Sequence, residues 1–138
     1  MKSLTFISCI WIGIFFLSIP LHAQTDNETL GTQAGASITT GDHNVFIGDS
    51  AGRSNSSGSL NTFIGKASGR NNTSARDNTF IGYQAGFRNG TGTDNTFLGK
   101  WAGRENTGTD NTFLGTEAGR RNTTGADNTF IGEQAGYL

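Results

Sequence analysis

The chain has 138 residues, with 10 Lys and Arg against 11 Asp and Glu for a formal net charge of −1, and is 33% hydrophobic. Bases interleaved with acids leave no basic stripe to displace counterions from a phosphate backbone, which argues against a nucleic-acid partner. One Cys and two His leave almost no material for a disulfide framework, a zinc cluster or a histidine-activated nucleophile.

In chain order, residues 1–23 read as a secretory signal peptide. Lys2 supplies a short positive start, Leu4 to Pro20 is nearly unbroken apolar sequence, and Leu21-His22-Ala23 ends in a small residue before Gln24. An uncleaved membrane anchor is the alternative, since the apolar run lies near the lower limit for spanning a bilayer. Cleavage after Ala23 removes Cys9, Pro20 and Met1, the only residues of their kinds, and leaves a secreted or cell-surface chain, 24–138, with no disulfide. Leu, Ile, Val and Phe are sparse in it, so order has to be judged from pattern.

From Asp26 onward the sequence repeats itself. Gly31, Gly48, Gly65, Gly82, Gly99, Gly115 and Gly132 recur every 17 residues, except for one step of 16 between Gly99 and Gly115. The units are 26–42, 43–59, 60–76, 77–93, 94–109, 110–126 and a partial 127–138. Their common form is D-N-T-F-[IL]-G-x-x-A-G-R-x-N-T-T-G-x, with the first copy degenerate. Each holds one β-favouring run, Asn-Thr-Phe-Ile/Leu, and is otherwise rich in turn-forming Gly, Asn, Thr and Ser. Such a unit is too short for a helical pair or a propeller blade and fits one coil of a solenoid. The predicted fold is therefore all-β, a parallel β-solenoid or β-roll of about seven coils spaced about 4.8 Å apart. The residue missing around Thr107 to Thr109 predicts a local tightening or twist.

Stacking turns each repeated position into a ladder. Asn44, Asn61, Asn78, Asn95, Asn111 and Asn128, led by Asn27, form one; Asn55, Asn72, Asn89, Asn106 and Asn122 form another, and both are read as structural. Phe46, Phe63, Phe80, Phe97, Phe113 and Phe130 stand beside Ile47, Ile64, Ile81, Leu98, Leu114 and Ile131. Neighbours on a strand point to opposite faces, so if one column lines the coil the other forms an apolar stripe outside it. A stripe of that length marks an interaction surface, and three rods side by side would bury it, which predicts a homotrimer. The alternative is a bend at Gly that folds both columns into one core.

The run DNTFIGYQAGFRNGTGTDNTFLGKWAGRENTG, residues 77–108, resembles the head repeats of YadA-like trimeric autotransporter adhesins, and is similar to NTxxGxxAG repeats of bacterial surface and tail-fibre-like proteins. The resemblance covers 26–138 and implies a left-handed parallel β-roll, trimeric and displayed at the outer membrane or cell surface. The family repeat is shorter, about 14 residues, and its Phe position is often smaller, so the turns are expected to differ. In the family a stalk and an anchoring β-barrel usually follow, or a chaperone domain in the tail-fibre relatives. Nothing of that kind follows Leu138, so membrane attachment is expected only through the signal or a C-terminal anchor, and a tail-fibre-like structural fragment is a further reading.

Chemistry has little to work with. His43, the only histidine past residue 23, sits in the column where other units carry Asp, and reads as a surface turn residue. Asp26, Asp77, Asp94, Asp110 and Asp127 would stack as like charges, which calcium could bridge, although Asp before a strand more often satisfies turn amides. Arg53, Arg70, Arg104 and Arg120 form a basic column able to pair with that acidic one. Threonines at 62, 79, 96, 112 and 129 raise an ice-binding reading, and Trp101, Tyr83 and Phe87, outside the repeated core, raise a glycan-binding one. No catalytic residue, metal site or cofactor is expected. The sequence points to a non-enzymatic exported adhesin-type or structural protein that offers a polyvalent surface to host cells, matrix or glycans.

Overall fold

A computed structural model describes residues 26–137; the proposed signal peptide, 1–23, lies outside the described residues. Those residues form an all-β parallel solenoid of about six turns. Seven short strands stack in chain order into one sheet: β1 (Glu28–Leu30), β2 (Val45–Ile47), β3 (Thr62–Ile64), β4 (Thr79–Ile81), β5 (Thr96–Leu98), β6 (Thr112–Leu114) and β7 (Thr129–Ile131). Every neighbouring pair is parallel and in the register of the repeat, so Phe46 lies on Phe63, Phe80 on Phe97 and Phe113 on Phe130.

Three-residue strands cannot hold such a stack alone, and they do not have to. The turns are also hydrogen-bonded from coil to coil, as in Gly52 N to Ser68 O at 2.9 Å, Ser56 N to Thr73 O at 2.8 Å and Trp101 N to Tyr83 O at 2.9 Å. The whole perimeter of each coil thus acts as a ladder, which is why turn-forming residues can fill most of a unit without leaving backbone groups unpaired.

The interior is divided in two. On one side the phenylalanine rings stack with centroids 4.8 to 5.0 Å apart and planes within 14° of parallel. Carbon atoms touch at about 3.5 to 4.0 Å, so this separation implies offset rings, the favoured arrangement for parallel aromatics. Ala51, Ala85, Ala102 and Ala118 complete that core. Ser68 takes the same position in its own unit, buried with its hydroxyl donating to the Phe80 carbonyl at 3.0 Å. The glycine that follows this position lies flat on a ring: a Cβ at Gly69 or Gly86 would come within 2.4 Å of Phe63 or Phe80. The first glycine of each unit has a different reason, since at Gly82, with φ of 138°, a Cβ would lie 2.4 Å from the Gly99 carbonyl oxygen of the next coil.

Asparagine fills the other side. Asn61 accepts from both the backbone and the side-chain amide of Asn78, and itself donates to Asn44 and to the Ala75 carbonyl. That same carbonyl accepts from Asn72, a member of the second ladder. Gly58, Gly92, Gly108 and Gly125 repeat the convergence of both ladders on one carbonyl. Asn44, Asn61, Asn78, Asn95 and Asn111 are fully buried, which a carboxamide tolerates only because donors and acceptors are matched along the stack.

The first coil inverts this pattern. Thr29 stands in the phenylalanine column and Ile38 in the second asparagine column. Ile38 packs against the apolar cluster above Phe46, filling space that a phenylalanine ring would otherwise occupy. The degenerate unit is therefore a modified coil that covers the upper end of the aromatic stack.

Candidate interaction surface

The outward face of the sheet alternates Thr with Ile or Leu, because the central Phe of each strand points inward. All five of Phe46, Phe63, Phe80, Phe97 and Phe113 have no exposed surface, whereas Leu98 is 46% exposed and Ile47 37%. Ile64, Ile81 and Leu114 are half-buried, and Ile131 at the last strand is 70% exposed. The two apolar columns thus lie on opposite faces, and no bend folds them into one core. Thr62, Thr79 and Thr112 are half-buried and Thr96 and Thr129 exposed, forming a second column beside the apolar one.

Two corners border this face. Before the strand, His43, Leu60, Asp77, Asp94, Asp110 and Asp127 all adopt φ between 55° and 61°, with Asp26 at 72°. Asp and His are among the side chains that tolerate this left-handed region best, which accounts for the acidic column more directly than a bound cation would. Among the described residues no group of three or more His, Cys, Asp or Glu is placed to hold a metal ion. His43 lies 3.4 Å from Asp26 and 3.5 Å from Asp42, all substantially exposed. The Asp42 carboxyl is held below its ordinary value, chiefly by a hydrogen bond from the Ser59 hydroxyl and further by the neighbouring His43.

Beyond the strand lies a corner of aromatic and basic residues. Gln33, Ser50, Ala67, Gln84, Trp101, Glu117 and Gln134 take φ between 53° and 60°, and nothing in their side chains announces it. Each of the last six of these has its amide bonded to a carbonyl of the preceding coil, so stacking imposes the conformation. Trp101 is half-buried; its indole N–H donates to Gln84 Oε1 at 3.2 Å, and Arg104 Nε donates to the same oxygen at 3.0 Å. Tyr83, 42% exposed, leans over Trp101 at 6.1 Å. Lys100 and Arg120 sit 4.1 and 4.8 Å from the indole centroid, and Arg70 and Arg104 flank Phe87 at 5.8 and 5.3 Å. The three aromatics that the sequence singled out are therefore neighbours at one corner, each engaged by a cation or another ring.

The basic column does not meet the acidic one. Arg104 pairs with Glu105 at 2.9 Å and Arg120 with Glu117 at 3.3 Å, both within their own coil. Among the described residues no ion pair joins an arginine of this column to the Asp column. The two occupy different corners, separated by the strand and the turn after it. A shallow depression lined by Ser57, Ser59, Leu60, Ser74 and Arg76 holds hydroxyls but no paired base to activate them.

Comparison with protein-family models, with curated proteins and with solved structures finds no match to this chain.

Proposed function

We propose that this protein is a non-enzymatic, exported rod of the adhesin type, which presents rows of identical groups to cells, matrix or other surfaces. One observation carries the reading: the sheet face repeats the same Thr and Ile or Leu pair on successive coils, in register, on a scaffold hydrogen-bonded around its perimeter. Rows of like groups suit a repetitive partner, to which weak contacts add through effective concentration. Convergent, unlike groups of the kind catalysis requires are not what such columns supply.

The half-exposed Ile and Leu column also supports self-association, with a homotrimer burying three stripes about a common axis. Export rests on residues 1–23, whose charge and hydropathy pattern is that of a signal peptide. Sedimentation equilibrium tests the association: the chain is expected to run as a trimer and Ile64→Asp with Ile81→Asp as a folded monomer. A stable monomeric parent chain would sink the trimer. Attachment is tested with beads coated at increasing density, where binding to cells or matrix should rise more steeply than density; a linear dependence would remove the polyvalent mechanism.

A second reading, favoured by the exposed ring of Tyr83 beside Trp101, is a glycan-binding solenoid. Trp101→Ala would then abolish glycan binding while leaving the oligomeric state unchanged.

A further inference from the structure

We infer that the aromatic and basic corner is a docking strip for a polyanionic glycan, a sulfated or uronate-bearing polysaccharide running along the rod axis. This deepens the glycan-binding reading by naming the ligand's chemistry, and it rests on that reading.

Charge is distributed in a way that the near-zero total conceals. The corner preceding the strand carries Asp26, Asp77, Asp94, Asp110 and Asp127, with Asp42 close by, and the bases near it in sequence are His43 and Arg76. The opposite corner gathers Arg70, Lys100, Arg104, Arg120 and Arg121, all within 6 Å of an aromatic centroid. Among the described residues only Glu105 and Glu117 pair with these bases, so the corner keeps an excess of cations. A polyanion is attracted to one corner and repelled by the other, which orients it on the rod.

The aromatics also organise the cations. Arg70, Phe87 and Arg104 come from three successive coils and lie in one row, which Arg120 and Tyr137 continue over the next two, with Trp101 beside the row under Arg120. A guanidinium resting on a ring has lost part of its rotamer freedom before any ligand arrives, so less is lost on binding. The row follows the axis at the coil spacing, matching a linear polymer with a charge on every sugar or two.

A neutral sugar fits less well. Stacking needs an open aromatic face, and the Trp101 ring already holds Lys100 and Arg120 against it. An anionic sugar would use those same cations as ligands.

The test measures binding of the full chain to heparin as the sulfated probe and polygalacturonate as the carboxylated one, with dextran as the neutral polymer, across a salt series. Both polyanions should bind, dextran should not, and affinity should fall steeply with salt. Lys100→Gln with Arg121→Gln, two exposed positions, should weaken heparin binding about tenfold and flatten the logarithmic salt dependence by about one to two. Arg76→Gln, beside the acidic corner, should leave it unchanged. The inference is overturned by no heparin binding at low salt, by an unchanged affinity in the double variant, or by an equal loss in Arg76→Gln. Single-stranded DNA binding as tightly as heparin would overturn the assignment to glycan. Salt-independent dextran binding lost in Trp101→Ala would overturn the charge argument and keep the stacking reading, whereas no polymer bound at all would remove both. Sedimentation of the same samples reports the trimer separately.

Discussion

At Asn95 the carboxamide oxygen accepts from the backbone and side-chain amides of Asn111, while its amide donates to Asn78, Asn89 and the Gly108 carbonyl. No other uncharged short side chain offers both functions at this reach, which is why the column is occupied by Asn without exception. Asn95→Ala would leave several buried groups unpaired, and at about 1 to 3 kcal/mol for each orphaned group the expected loss is about 3 to 5 kcal/mol in denaturant unfolding. Asn95→Asp, which keeps shape and acceptor but cannot donate when ionised, should also destabilise strongly, and less so at low pH where it regains a donor. Asp42 ties a single hydrogen bond to pH in the same way. Its lowered carboxyl pKa contributes stability that is present above the ordinary carboxylate range and lost as pH falls through the folded value. Ser59→Ala removes the largest cause, so carboxyl NMR titration should find the Asp42 pKa moved up toward its ordinary value; an unmoved pKa would contradict the assignment.

Among the elements, the turn after β5 is the informative one. Other units place a carbonyl three residues beyond the second-ladder Asn, as Asn89 does with Gly92, but Asn106 bonds Gly108 only two residues on. The missing residue thus tightens the turn, as its position in the sequence implied. It does not twist the rod: Phe97 and Phe113 across this step remain 4.8 Å apart and 5° from parallel. The cost appears in the second ladder instead. Asn72 to Asn55 and Asn89 to Asn72 are bonded at 2.8 and 3.1 Å, but among the described residues no bond joins Asn106 to Asn89, whose oxygen accepts from Asn95 at 3.4 Å. Inserting Gly between Asn106 and Thr107 restores the regular turn and should raise thermal stability by about 1 kcal/mol, the net worth of one regained bond. An unchanged or lower unfolding midpoint would show that the tight turn is as good as the regular one.

For the molecule as a whole, each coil touches only its neighbours, so stability is close to a sum of coil and interface contributions. Deleting residues 77–93, one complete unit, joins Arg76 directly to Asp94 and keeps every column in register. The product should be a folded, shorter rod with a proportionally smaller denaturant m-value. Deleting eight residues from the same unit should instead abolish cooperative unfolding, because it breaks every ladder at once. Equal tolerance of both deletions would refute the ladder account.

Periodicity alone determined the architecture: a 17-residue recurrence with one strand-forming run per unit is satisfied by stacked parallel coils, and the Phe and Ile neighbours must then take opposite faces. The Asn ladders were legible for the same reason, since a repeated position in a solenoid is a column in contact with itself. Tertiary structure decided which apolar column is inside, because that depends on how the turns close. Gly69 and Gly86 lie flat on the aromatic rings, so the close approach that a Phe column needs is provided on that side. It also separated the Arg column from the Asp column, and it brought Arg120 onto Trp101. That contact joins different columns of successive coils across a corner. Sequence spacing gives their register along the rod, but only the path of the backbone around the coil sets which columns share an edge.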